Sequence, residues 1–353
     1  MKDTVKYVIQ RVLFVFLTTF VILSLTYILL QCIKVTPGGT DMQRWSYWED
    51  QVRLGFYRVL DPSDPDYLER VAKGLFDETV RVNDRNYYYV AEPIMKRYVM
   101  WLGNIFRGDW GVSSKLSPGR DAFAILMAGL PYSMRLNIIS IFISIPLGLG
   151  LGIFAALKKN TWIDSTISVI VMVFISVPSF VLISFLLIAF GGVGGWPLQW
   201  QSDAAAAADP ALAFKMYVIP VMALCFGSIC AFARYTRAEL SEVMSSEFLL
   251  LARTKGLSRS QSVIRHALRN SMVPIVPMII SEFIGILSGS MVLEQIYGIP
   301  GIGGIFVKAL NDRDVPVIMV DMAIYTTIGL FATLIIDLSY GVVDPRIRMG
   351  ARK

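Results

Sequence analysis

Six stretches of the chain are apolar for long enough to cross a bilayer as helices: Val12–Leu30, Leu136–Leu157, Ile163–Phe190, Met216–Ala233, Met272–Leu293 and Val315–Val343. About 20 helical residues cover the roughly 30 Å of hydrocarbon, so each run is a candidate span. Isolated charges or prolines interrupt the last three. Pro146, Pro178, Pro220, Pro274 and Pro277 lie in or near the runs. Neighbouring helices can satisfy the backbone groups that proline frees, so kinked spans are expected.

Polar residues fall into three kinds of segment. The largest, about Val35 to Ala128, is rich in charge and turn chemistry (Thr36-Pro37-Gly38-Gly39, Asp61-Pro62-Ser63-Asp64-Pro65) and carries Trp45, Tyr47, Trp48, Phe56, Tyr57 and Tyr87-Tyr88-Tyr89. That much aromatic side chain predicts a small folded external subdomain packed on the helices, with a lid or scaffold role ahead of a direct contact with substrate. Gly191 to Ala213 begins with glycines and Trp196-Pro197, which predict a loop, and continues through Ala204–Ala208, which predict a short helix or a disordered patch. Ser245 to Asn270 is the third kind, because it joins Phe248-Leu249-Leu250-Leu251 to five basic side chains.

Composition strengthens the membrane reading: 55% of the 353 residues are hydrophobic, 17% are charged, and the mean hydropathy is +0.57. The net charge of +6 could suit nucleic acid, so its location decides. With the amino terminus inside, the cytoplasmic segments hold Lys2, Lys6, Arg11, Lys158, Lys159, Arg234, Arg237 and the basic residues of 245–270. They end with Arg346, Arg348, Arg352 and Lys353, whereas the two shorter opposite loops hold only Lys215, Lys308 and Arg313. The positive-inside rule then places both termini in the cytoplasm and leaves no call for nucleic acid. Leu29-Leu30-Gln31-Cys32 faintly resembles a lipoprotein cleavage site, but Gln31 is too large and the run too long, so an uncleaved first span is expected. Cys32, Cys225 and Cys230 all fall in or beside spans, so the external block is not held by its own disulfide.

The 245–270 segment parses as helix, corner, helix. Ser245 or Ser246 caps the first helix, Glu247 favours its positive end, Arg253 and Lys255 its negative end, and Gly256 ends it. Ser258 and Gln261 have capping-box spacing for a second helix, on which Val263 with Ala267 and Ile264 with Leu268 repeat at i+4. Two roles fit: a basic hairpin on anionic lipid, or an element that inserts protruding apolar residues into a groove on a cytoplasmic partner. The residues alone leave both open.

Chemistry is scarce. No phosphate-binding Gly-x-x-x-x-Gly-Lys-Ser/Thr loop occurs, and the single histidine, His266, cannot build a metal site or a triad. No catalytic residue, metal or cofactor is expected, and a transporter fits better than an enzyme. Among ionisable residues inside spans, Glu282 and Asp321 are the candidates for a substrate pathway, while Glu294 and Asp337, nearer span ends, read as structural or gating residues.

Arg234-Tyr-Thr-Arg-Ala-Glu239, Ala252-Arg-Thr-Lys-Gly256-Leu-Ser, Arg265-His-Ala-Leu-Arg-Asn270 and Pro274 resemble the cytoplasmic loop of binding-protein-dependent ABC importer permeases. The resemblance is greatest to the B-type permease of the oligopeptide/dipeptide branch. Gly108-Asp-Trp-Gly111, Ile299-Pro-Gly-Ile-Gly303, Asp314-Val-Pro316 and Val343-Asp-Pro-Arg-Ile-Arg348 resemble the same branch, in the same order. The resemblance implies an all-α membrane protein with the six helices of the type I importer permease, an external subdomain between helices 1 and 2, and location in the bacterial cytoplasmic membrane. Its divisions are 1–34 (first span), 35–128 (external insertion) and 129–353 (core permease, with the cytoplasmic coupling segment at 239–270).

It also implies that Ser246–Gly256 is a coupling helix seated on an ATPase subunit, with Phe248, Leu250, Leu251, Ala252, Lys255, Gly256 and Leu257 at the contact. The loop's Glu-Ala-Ala signature falls on Leu250, Leu251 and Ala252; the final alanine and the later glycine match, and Leu250 replaces the glutamate. Implied partners are a second permease, two cytoplasmic ATPases, an external binding protein, a peptide cargo and membrane lipid. Rival expectations are importers of nickel chelates, glutathione or sugars in the same family, an ion-coupled secondary transporter, which would show inverted repeats, and lastly a membrane-embedded enzyme.

Overall fold

The computed structural model describes residues 2–31, 35, 37–191, 195–285 and 290–343. Cys32, Thr36, Gly192–Gly194 of the glycine-rich loop and the ending from Asp344, with Arg346, Arg348, Arg352 and Lys353, lie outside the described residues. Among the described residues five helices are long and apolar enough to cross a membrane, or six if a bent pair forms one span. The chain divides into two compact units. One comprises the start of the first helix, Pro131–Gly304 and the chain from Ile328; the other comprises Leu13–Leu130 and Ile305–Thr327.

The spans mostly follow the apolar runs and extend past them. Helix α1 covers Lys2–Leu30. In the insertion that follows come α2 (Asp41–Arg53), β1 (Tyr57–Val59), α3 (Tyr67–Ala72), β2 (Glu78–Val82), β3 (Arg85–Ala91) and α4 (Ile94–Phe106). The second span, α5 (Ala122–Leu157), starts well before its apolar run and carries Pro131 and Pro146 within it.

The run Ile163–Phe190 is not one straight span. It forms α6 (Trp162–Ile175) and α7 (Ser179–Phe190), bent by 99°. Pro178 explains the break, since it lacks an N–H and disfavours helical backbone at Val177. In the next loop Ser202 caps α8 (Asp203–Ala208), so the alanines are helical, and Asp209 caps α9 (Pro210–Met244). The fifth run is also divided. Its span comprises a single turn, α11 (Arg259–Ser262), a wider π-helical turn over Val263–Ala267, and α12 (Leu268–Gly285), whereas Leu293 belongs to the separate α13 (Met291–Tyr297). The short α10 (Glu247–Thr254) precedes α11; α14 (Ile302–Asp312) and the last span, α15 (Val315–Val343), follow α13.

In the first unit, α9 is the central post. A core of Leu136, Leu182, Ile183, Leu186, Ile219, Cys225, Leu293 and Tyr297 joins it to α5, α7 and α13. Close approach of α5 to α9 depends on two glycines one turn apart. A Cβ on Gly148 would lie 2.6 Å from the Phe232 Cβ, and one on Gly152 would lie 2.6 Å from the Thr236 Cβ. Small residues at such spacing let membrane helices pack backbone to backbone.

Glu294 organises the turn between α13 and α14. Its buried carboxylate accepts from the Ser133 hydroxyl at 2.7 Å, the Ser290 amide at 3.1 Å and the Gly304 amide at 2.9 Å. A Cβ on Gly301 would lie 2.4 Å from the Glu294 Oε2, which explains the glycines of Ile299-Pro-Gly-Ile-Gly303. These bonds give Glu294 a structural part at this turn, and Asp337 pairs with Arg11 at 3.5 Å.

The second unit contains the insertion, where the structure adds an element that the sequence reading did not name: a three-stranded antiparallel sheet in the order β1-β3-β2. Asn83 and Asp84, both at positive φ, make the two-residue hairpin turn between β2 and β3, a position that suits Asn and Asp. Alternation along β3 divides the tyrosine run. Tyr89 stacks on Trp48 of α2 with ring centroids 5.8 Å apart, while Tyr88 meets Phe76 at 4.8 Å and Tyr67 at 6.2 Å. Asp109 of Gly108-Asp-Trp-Gly111 binds Arg53, and that guanidinium holds its carboxyl below the usual range.

Among the described residues of this unit, Asp314 has the carboxylate with the most hydrogen bonds. Fully buried, it accepts from the Ser113 hydroxyl at 2.5 Å and from the amides of Ser114, Lys115 and Leu116 at 3.1, 3.0 and 3.0 Å. Replacing it by alanine leaves those buried donors without an acceptor, at a cost of about 3 kcal/mol or more. Asp314→Ala should therefore lower the thermal stability of the detergent-solubilised chain by several degrees, while Asp312→Ala at the exposed end of α14 should not.

Candidate functional site

The polar hairpin between α9 and α12 has the predicted form. Ser246 has extended backbone at the start of α10, with Glu247 in the first turn and Arg253 in the last. The Ser246 hydroxyl does not cap α10; it donates back to the Val243 carbonyl at 2.6 Å. Gly256 makes the corner at φ +91°, and Ser258 with Gln261 forms both halves of the capping box of α11. Gly256 has open space around it, so substitution there meets only backbone strain. Gly256→Ala should cost about 1 kcal/mol. Trypsin should then cleave the adjacent Lys255 and Arg259 sites about fivefold faster than in the unmodified chain.

The four apolar residues do not act alike. Leu249 is 1% exposed, packed with Ala156 of α5, Leu240 of α9 and Ala267. It does not protrude, which corrects the expectation of four outward residues; at a helical period of 3.6 one of four successive positions must face the core. Ala252, one turn on, also faces inward. Phe248, Leu250 and Leu251 are 43%, 63% and 60% exposed, and Lys255 and Gly256 are exposed beside a half-buried Leu257. His266 contacts the Phe248 ring edge-on, with centroids 5.9 Å apart. On the second helix Val263 and Ala267 are buried, while Ile264 faces outward.

An ion pair that the sequence reading missed stands under this hairpin. Arg237 of α9 donates to both carboxylate oxygens of Asp164 at 2.6 and 2.8 Å, and the Asn160 amide adds a third bond at 3.1 Å. Asp164 is 3% exposed, so the pair ties α6 to α9 at the end of the span that leads into the hairpin. Its only sequence signal was an acid in the first turn of an apolar helix. Fork-shaped Arg–carboxylate geometry makes such a tie directional.

Glu282 and Asp321 belong to different units. The Glu282 Oε1 accepts from the Ser228 hydroxyl of α9 at 2.9 Å, and its side chain is partly exposed. Asp321 has no exposed surface, so it lines no open passage in this conformation. Among the described residues no group of His, Cys, Asp and Glu could hold a metal ion.

Comparison with known proteins agrees with this architecture. Residues 148–349 match the family described as binding-protein-dependent transport system inner membrane component. The dipeptide transport system permease protein DppB of Bacillus subtilis is 34% identical over 77% of this chain and 85% of its own length. DppB of Lactococcus lactis is 30% identical over 98% of this chain and 100% of its own. The oligopeptide transport system permease protein OppB of Escherichia coli is 30% identical over 92% and 99%. Spans, hairpin and similarity over nearly the whole length lead to one conclusion: the chain belongs to the family of binding-protein-dependent transport system inner membrane components.

Proposed function

We propose that this chain is one permease half of an ATP-driven importer of short peptides in a bacterial cytoplasmic membrane, and that α10 is its coupling helix. The observation that carries the reading is the division of Phe248-Leu249-Leu250-Leu251: Leu249 anchors the helix in the core, and the other three stand out as a small apolar knob. Relatives named dipeptide and oligopeptide permeases supply the cargo class. A knob of this kind suits a groove on an ATPase subunit. Two such subunits, a second permease and an external binding protein complete the machine, with both termini and α10 in the cytoplasm. ATP hydrolysis then belongs to the partner, and nucleotide-driven closure reaches the spans through Leu249 and the Asp164–Arg237 tie.

Glu282 is the proposed pathway residue, whose carboxylate would pair with a peptide's ammonium group. Asp321 takes no part in this conformation because it is fully buried. The test is uptake of a labelled dipeptide by cells lacking the chain and by the same cells complemented with it. Complementation should restore uptake that stops on ATP depletion, and Glu282→Gln should raise the half-saturating concentration about tenfold or more, the loss of one charged hydrogen bond of about 1.5–3 kcal/mol. Restored uptake of a nickel chelate, glutathione or a sugar, with none of peptide, overturns the cargo class. Uptake driven by an ion gradient without ATP overturns the importer itself.

A further inference from the structure

We infer that α4 is an interfacial helix, with one face packed on the protein and the other immersed in the bilayer leaflet on the subdomain's side. Its sequence, Ile94-Met-Lys-Arg-Tyr-Val-Met-Trp-Leu-Gly-Asn-Ile-Phe106, contains no acidic residue and has two cations. The inward face is settled by contacts. Tyr98, Trp101, Leu102 and Ile105 join Leu23, Tyr27 and Leu30 of α1 and Met319 and Ala323 of α15 in one core. The Trp101 ring stacks on Tyr27 with centroids 4.4 Å apart, and the Tyr98 hydroxyl lies 2.8 Å from that of Ser24.

Those partners fix the depth. Ser24 lies six residues before Leu30, the end of the first span, and Tyr27 lies three before it. At 1.5 Å per residue the contacts fall about 9 and 4.5 Å inside the span's end. Met319 and Ala323 lie four and eight residues into α15, about 6 and 12 Å from its start, which gives the same depth from the other helix. A helix docked at that level on a spanning helix is beside lipid.

Its outward face has the matching chemistry. Met95, Val99 and Phe106 are 68%, 60% and 86% exposed. At 3.6 residues per turn their positions fall within about 40° of arc, a single apolar stripe. Arg107 lies on one flank of the stripe beside Lys96, which pairs with Glu92 at 3.0 Å and is still half exposed; long cationic side chains there can reach headgroups while their stems stay in apolar surroundings. Leu25, Ile28 and Leu29 of the same stretch of α1 are likewise apolar and 57%, 43% and 69% exposed. In this role α4 sets the height of the three-stranded subdomain above the membrane, so that a soluble partner approaches it at a fixed level.

The test places a bimane fluorophore at Val99→Cys or Phe106→Cys in the full chain with its co-purifying subunits, reconstituted in liposomes. Cys32, Cys225 and Cys230 are first replaced by alanine, and Ser63→Cys in the exposed turn of the subdomain is the aqueous control. Lipid brominated near the headgroup should quench the labels at 99 and 106 at least twofold more than the control, and aqueous iodide should do the reverse. Iodide quenching equal to that of the control overturns the inference by placing the face in water. Quenching by neither reagent also overturns it, by showing a protein subunit over the stripe.

Discussion

Replacing Leu250 and Leu251 together by aspartate should abolish ATP-driven uptake while leaving the permease folded. Both side chains are about 60% exposed, and the double substitution touches none of the core that holds α10 in place. Their loss is felt only where a partner covers them. Burying a leucine on docking contributes about 1.5–3 kcal/mol, so two contribute about 3–6 kcal/mol, or roughly 10²- to 10⁴-fold in affinity. Adding two carboxylates to an apolar groove raises the penalty further. The expected result is unchanged expression and gel-filtration profile with uptake at background. Leu249→Asp is the contrasting variant: it places a charge at a 1% exposed site beside Ala156 and Leu240, and should reduce the amount of folded chain itself.

The second large effect concerns helix packing. Gly152→Leu should prevent the first unit from assembling, because its Cβ alone would lie 2.6 Å from the Thr236 Cβ and 2.7 Å from the Ala233 carbonyl. Neither obstacle can turn aside, because the carbonyl is backbone and a Cβ is fixed by the backbone that carries it. Overpacking by one or a few methylenes costs about 1–3 kcal/mol, and here a whole side chain must be accommodated between two helices in contact. Gly150→Leu provides the internal control, since nothing lies within 4 Å of a Cβ at that position. Fluorescence-detected gel filtration of membrane extracts should show the 150 variant at the level of the unmodified chain and the 152 variant lost or aggregated.

These cases also show what the sequence could and could not carry. The corner at Gly256 and the box of Ser258 with Gln261 are local devices, spelled out within four residues, and both are where spacing placed them. The spans were legible because hydrocarbon thickness imposes a length, and the break at Pro178 was foreshadowed as a kink though not as a 99° turn. The inward face of Leu249 was not legible, because four apolar residues in a row have no periodicity to read. Asp164 with Arg237, Ser133 with Glu294 and Ser113 with Asp314 join residues 73, 161 and 201 positions apart, and only packed helices bring them together. The Asn83-Asp84 hairpin was a short-range signal that aromatic content overshadowed.

One contact carries the functional account: that of the exposed face of α10 with an ATPase. A photo-crosslinking amino acid in place of Leu250, activated in native membranes and followed by identification of the adduct, examines it directly. The account predicts a cross-link to a nucleotide-binding subunit that strengthens or weakens when ATP is added. Cross-linking to lipid alone would contradict it, and would leave the hairpin as a basic element lying on the membrane surface.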